Sequence, residues 1–279
     1  MPHGSSPSLP GHPEDTFVEV LAAVFSVRPL ARPSDPSAAG QVALHVLLWQ
    51  RGQHPDAGKW ALPGGIVLST EDVDTSAQRQ LAEKVDLTRV SHLEQIGVFS
   101  APHRMPDVRT VATGFLGLVP LDADPTLPAD TAWHPVGTLP PTALDHGVIV
   151  ERAHRRLQAK LSYTNIGFAL APAEFTIAEL RQVYATALGH DVDPTNLHRI
   201  LLRRGMLEPT GTTGPRNPVG GRPAALHRFT VAELRVTDPF AAFRPPEKPA
   251  DPAGPLDAPD AADPAASTGS TPTPPPTPR

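Results

Sequence analysis

The sequence predicts an α+β chain in three parts, and three observations carry that prediction. The first half of the 279 residues mixes β-type apolar runs with helical spacing in no regular alternation, which suits an α+β or α/β sandwich. After Pro172 come short helical runs and then Gly- and Pro-punctuated strands, the outline of a winged helix-turn-helix. Proline crowds the end of the chain: of 36 prolines, 12 fall within residues 245–279, a composition that cannot build a core.

The elements follow in order. A Pro/Ser/Gly-rich arm over residues 1–14 is expected to be disordered. FVEVLAAVFSV (17–27) and VALHVLLWQR (42–51) read as strands, with a turn-rich loop between them. PDAGKWALPGG (55–65) reads as a loop passing through a short strand. Ala77, Leu81 and Val85 recur at helical spacing within 74–85. VSHLEQIGVFSAP (90–102) and VRTVATGFLGLVPL (108–121) add two strands. A linker helix over 148–161 is marked by Ile149, Ala153, Leu157 and Leu161.

In the second half, FTIAELRQVYATAL (175–188) puts Ile177, Leu180, Val183, Tyr184 and Leu188 on one face. Thr176 with Glu179 forms a capping box for that helix, and Gly189 stops it. PTNLHRILLRRG (194–205) opens on Pro194, suited to a first turn, and closes on Gly205. MLEPTGT (206–212) and PAALHRFTV (223–231) make a hairpin around a glycine-rich loop. The predicted divisions are a first domain over 15–147, the linker over 148–162, a winged helix over 163–236, and a disordered tail over 237–279.

Composition excludes several classes. With no cysteine there is no disulfide scaffold, thiolate metal site or cysteine nucleophile. No apolar run approaches the ~18 residues of a membrane span. The opening MPHGSSPSLPGHP lacks the features of a secretory signal, so a soluble, cytoplasmic protein is expected. The twelve histidines show neither HxH nor HExxH spacing, and no zinc site is assigned. Net charge is −5, yet it divides into −7 over 1–150, +5 over 151–236 and −3 over 237–279. Halves of opposite charge suit different partners.

The segment GGIVLSTEDVDTSAQRQLAEKVDL resembles a Nudix box. Gly65, Glu71, Arg79, Leu81, Glu83 and Leu87 hold the family's positions, and WALPGG precedes them. The resemblance implies a Nudix-like α/β/α sandwich. Working Nudix hydrolases present three carboxylates to Mg²⁺ from one face of the box helix. Here those places hold Gln80, Glu83 and Lys84, and Asp86 replaces the box glycine. A neutral amide and an ammonium leave the cation badly served, so a binder without hydrolase chemistry, metal or cofactor is expected. Arg51, Trp60, Arg79, Arg104 and Arg109 are candidates to grip phosphates or stack a base, with Glu83 and Lys84 beside them. Trp60 reads first as core, Arg79 as a structural partner of Glu83, and Arg104 and Arg109 equally as surface.

On the 194–205 helix, Leu197, Ile200 and Leu201 form a core face, whereas Thr195, Arg199, Leu202 and Arg203 point away, with Asn196 and His198 at the edges. Arg can bridge guanine O6 and N7, Asn can read adenine, and Thr can reach phosphate, so this face suits a major groove. Arg216 and Arg222 sit in the glycine-rich wing loop and are expected on phosphates.

The whole run from about residue 15 to 235 is similar to the Nudix-related transcriptional regulators, through YTNIGFALAPAEF, GRPAALHRF, DVRTVATGFLGLV and LDHGVIVERAHRRLQAKLSYT. That resemblance implies a dimeric repressor of NAD synthesis or salvage genes. Its Nudix-like domain would sense ADP-ribose or a related metabolite and release an inverted-repeat operator in double-stranded DNA. His146 is expected at the surface of the linker helix N-terminus, a pocket position being the alternative that the resemblance raises. Two rivals remain: a Nudix hydrolase keeping Glu71 and Glu83 as ligands, and an adaptor whose winged helix binds protein.

Overall fold

A computed structural model describes residues 16–30, 41–87, 90–123, 125–214 and 223–238. The expected disordered arm, and the tail beyond residue 238, lie outside the described residues. Seven strands make one mixed sheet: β1 (Phe17–Pro29), β2 (Val42–Gln50), β3 (Trp60–Ala61), β4 (Gly64–Ile66), β5 (His92–Phe99), β6 (Thr110–Leu118) and β7 (Thr131–Pro135). The main order is β3-β2-β1-β6-β5, with β4 paired to β1 and β7 to β2. Only the β1–β6 pair is parallel, in register from Phe17–Thr110 to Phe25–Leu118.

β1 is the middle of the sheet because its sequence is apolar on both faces. Val20, Ala22 and Val24 pack with Ala77, Leu81 and Val85 of α1 (Val73–Val85). The alternate residues Leu21, Ala23, Phe25 and Val27 pack toward α2 (His146–Tyr163). One helix on each face yields the expected sandwich. Gly64 lets β4 close onto β1: a Cβ there would lie 2.0 Å from the Val20 carbonyl oxygen.

The core on the α2 side does not stop at the sheet. It runs through Ile149, Ala153, Leu157 and Leu161 of α2 to Leu180, Val183 and Tyr184 of α3 (Ile177–Leu188). From there it reaches Leu197 and Leu201 of α4 (Pro194–Arg203) and Leu207, where β8 (Leu207–Thr213) starts. β8 and β9 (Ala225–Phe229) form the hairpin behind the two helices, and Phe175 bridges to His227 of β9. Helix, turn, helix and hairpin are thus a winged helix whose core is continuous with the sandwich.

Local signals set its helix ends. Thr176 and Glu179 form the reciprocal capping box, Gly189 takes a left-handed φ of 78°, and Pro194 starts α4 behind an Asp193 cap. Polar ties then fix the C-terminal half of α2. Glu94 on β5 accepts from Lys160 Nζ at 2.6 Å and from Arg156 Nε at 3.0 Å. Asn165, past its C-terminus, donates to Val231 and Glu233 carbonyls and accepts from the Arg235 amide at 2.6 Å. β7 is not among the strands the sequence pattern predicts: TAWHP is short and ends in proline, and it forms only by pairing along β2.

Candidate functional site

A cavity of about 810 Å³ opens where β2, β4, α1 and the start of α2 meet. Its wall includes Glu19, Trp49, Arg51, Gly64, Gly65, Lys84, Asp130 and His146. Trp49 and Arg51 alternate onto this side at the end of β2, and the Trp49 indole is held by its Nε1 donating to the Leu62 carbonyl at 3.0 Å. Lys84 Nζ lies 4.5 Å from the Trp49 ring centroid. Arg51 Nε donates to the Pro55 carbonyl at 2.9 Å, which fixes the arm of its guanidinium.

His146 forms the floor. The helix begins two residues earlier than its apolar spacing predicts, and the ring is buried, 2 % exposed, instead of standing at the surface. The reason is the Leu62 backbone N–H, which donates to His146 Nδ1 at 2.9 Å and would otherwise be buried without an acceptor. Burial, with nearby Arg104 and Arg51 adding to it, pushes the imidazole pKa down to about 4. The ring is therefore neutral at pH 7 with its proton on Nε2.

The box residues are joined to one another. Arg79 donates to both Glu71 oxygens, at 2.5 and 2.8 Å, and to Glu83 at 3.0 Å. Glu71 also accepts from the Leu68 amide at 2.9 Å, and the Arg79 hydrogen bond above all holds its carboxyl at about 2. Gln80 is buried beneath the Gly64–Gly65 backbone; with its amide turned to satisfy both atoms, it donates to the Gly64 carbonyl and accepts from Arg79, each at 3.1 Å. Asp86 caps α1 in the left-handed region, φ 53°, the conformation that favours the box glycine. This donor set does not fit Mg²⁺: Glu71 and Glu83 share the hydrogen bonds of Arg79, one box place is an amide and one an ammonium. Among the described residues no group of three or more His, Cys, Asp or Glu is arranged to hold a metal ion.

Of the seven residues proposed from the sequence to contact a ligand, Arg51 and Lys84 line the cavity, joined by His146, for which a pocket position was the alternative. The others take structural places outside that lining. Trp60 packs against the larger core and edge-on to His134, ring centroids 4.2 Å apart. Arg79 and Glu83 are occupied with each other. Arg104 is buried, not on the surface; it pairs with Glu19 and makes a bidentate bond to Asp145 at 2.7 and 3.0 Å. Arg109 donates to the Ser100 and Ala101 carbonyls and holds its own loop. Sequence reasoning missed Trp49, Glu19 and Asp130. Trp49 had a signal, being two residues from Arg51 on one strand face; Glu19 and Asp130 had none.

A second cavity, about 890 Å³, lies between β2, α2 and α3. Its walls are mainly apolar and its rim carries Glu151, His154, His190 and Asp191, so it lacks cations to meet phosphate.

On the winged helix, Thr195, Asn196, Arg199 and Arg203 of α4 are exposed, and Leu197 and Leu201 are buried. Arg199 Nη2 donates to Asn196 Oδ1 at 2.7 Å, so the two side chains present a joined polar edge. His198 departs from the expected edge position. Its ring turns toward the hairpin and meets His227 edge-on at 5.1 Å, with Nε2 buried. Arg216 and Arg222 lie outside the described residues.

Comparison with known proteins agrees with both halves. Residues 37–153 match the NUDIX domain family, and residues 167–229 match the NrtR DNA-binding winged helix domain. A protein of Acinetobacter baylyi named "ADPR responsive transcriptional repressor NtrR" is 30% identical over 200 residues, covering 69% of this chain and 78% of that protein. Shewanella oneidensis NrtR superposes with a TM-score of 0.61 at 28% identity, over 76% of this chain and 94% of that one. Its crystal structure with a 27mer DNA matches with the same TM-score, over 93% of that chain.

Proposed function

The chain belongs to the NrtR family of Nudix-related transcriptional regulators, and from that premise we propose that it is a repressor that reads a nucleotide in its sandwich and releases DNA from its winged helix. The effector is ADP-ribose or a related NAD metabolite, matching the name of the Acinetobacter relative. The controlled genes are those of NAD synthesis or salvage. The operator is an inverted repeat in double-stranded DNA, met by a homodimer that sets two recognition helices about one helical turn apart. The protein works in the cytoplasm and needs no cofactor.

The observation that carries this reading is the position of His146. It floors the cation-bearing cavity, and it is the first residue of α2, the helix whose far end packs into the DNA-binding core. A ligand touching that floor therefore has a continuous packed element leading to α3 and α4. Regulation needs only that the ligand bind one arrangement of this element better; a coupling of ~1–3 kcal/mol changes DNA affinity ~5–150-fold. On the DNA side, Thr195, Asn196, Arg199 and Arg203 face the groove, with Arg216 and Arg222 reaching phosphates from the wing.

Hydrolysis is not part of this function, because the box residues that would hold Mg²⁺ close on Arg79 instead. Selection of DNA fragments by the purified protein at about 100–150 mM salt, with and without ADP-ribose, tests the reading, since phosphate contacts make binding salt-dependent. An inverted repeat that is enriched, and lost when ADP-ribose is added, is the expected result. No enrichment under either condition would overturn it. AMP release with Mg²⁺ or Mn²⁺, abolished by Glu83→Gln, would restore the hydrolase.

A further inference from the structure

We infer that Lys84 takes the place of the divalent cation in this pocket, so that the ligand's diphosphate is bound directly by protein cations without Mg²⁺. The inference rests on the nucleotide reading above and adds how that site neutralises its ligand.

Lys84 occupies a box position where a metal-binding carboxylate is otherwise found, and its side chain lines the same cavity as Arg51. The Trp49 ring, 4.5 Å from Nζ, holds the ammonium at the cavity wall. A divalent ion entering here would be repelled by that ammonium. Glu71 and Glu83 already accept from Arg79, and Gln80 braces Gly64. Of the carboxylates in the wall, Glu19 is paired with buried Arg104, and Asp130 accepts from Thr131 Oγ1 at 3.1 Å. Arg51 and Lys84 then supply two positive charges for the two negative charges of a diphosphate diester. The neutral His146 ring adds an Nε2–H donor and no charge that varies near pH 7.

Isothermal titration of the full chain with ADP-ribose, once in EDTA and once in millimolar Mg²⁺, separates the cases. The expected result is equal affinity in the two buffers, within about twofold. Lys84→Met should weaken binding about 10–100-fold in EDTA, on the scale of one lost charge-assisted contact, and Lys84→Arg should recover most of it. Lys84→Glu should abolish binding in EDTA and regain part of it when Mg²⁺ or Mn²⁺ is added. Lys84 is exposed, so unchanged thermal melts of these variants would show that the loss is local. Wild-type binding that requires Mg²⁺, or full affinity in Lys84→Met, would overturn the inference and leave the ADP-ribose reading standing. No binding in either buffer would overturn both.

Discussion

α1 and α4 are both short amphipathic helices with polar outer faces, yet they use those faces in opposite ways. On α1, Arg79 gathers Glu71 and Glu83, Gln80 reaches back to Gly64, and Lys84 leans on Trp49. On α4, Thr195, Asn196, Arg199 and Arg203 stand in solvent, with Arg199 donating to Asn196. A polar face closed on its own protein contributes stability and shapes a cavity. A polar face left open contributes little to stability and is available to a large polar partner. Substitutions on the sensor side should therefore move the melting curve, and those on α4 should move the DNA isotherm.

The largest separation comes from pH acting on His146. Its folded pKa, about 4, lies below the ordinary 6.5. Between those values the unfolded chain binds a proton that the folded chain does not. Stability is therefore full above about pH 6.5 and falls as pH drops toward 4, by up to ~1.4 kcal/mol per pH unit and ~3 kcal/mol in all. Denaturant melts from pH 7 to 4.5 should show this slope, and His146→Gln should flatten it. An unchanged slope in the variant would mean that the ring is not the buried neutral group described.

Next in size is Arg79→Ala. It removes both Glu71 contacts and the Glu83 contact, leaving a carboxylate that is 7% exposed with the Leu68 amide and the Ser76 hydroxyl. The expected result is a lowered Tm, with DNA affinity at 25 °C unchanged. A weakened operator complex with an unshifted melt would reverse the assignment of the two faces.

Arg199→Ala should do the opposite. Operator binding should weaken by about 1–3 kcal/mol with relaxed preference at particular base pairs, while Tm stays within the scatter of surface substitutions, ~0.5 kcal/mol. If both affinity and base preference survive, α4 is not the reading helix.

How much of this was legible in the sequence follows the same division. Signals confined to a few neighbouring residues were readable: Ala77, Leu81 and Val85 on the inner face of α1, the Thr176–Glu179 box, Gly189 and Pro194. The identities at the three box places, Gln80, Glu83 and Lys84, were readable in the same way. What could not be read was the direction of side chains whose partners lie far along the chain. Arg104 looks like a phosphate clamp until Glu19, 85 residues away, and Asp145, 41 residues away, are placed beside it. His146 looks like a surface residue until the Leu62 amide is found to need an acceptor. His198 fits the outer edge of a helical wheel, and only the position of β9 turns it inward toward His227. The exposure of Thr195, Asn196, Arg199 and Arg203 was easier to infer because helical spacing alone sets it.

Arg203 sharpens the comparison within α4 itself. It belongs to the last turn of the helix, whereas base edges are met by residues near the N-terminus of a recognition helix. A guanidinium in that place can contribute charge to a phosphate without reading sequence. Arg203→Ala should accordingly weaken specific and random duplexes by the same factor, on the order of tenfold or less at physiological salt. The slope of log affinity against log salt should fall by about 0.9, one released counterion fewer. Arg199→Ala should alter the ratio between cognate and random DNA, and Arg203→Ala should leave that ratio where it was. Paired salt titrations of the two variants on both duplexes measure this difference, and a ratio that shifts with Arg203 would extend the reading surface to the end of the helix.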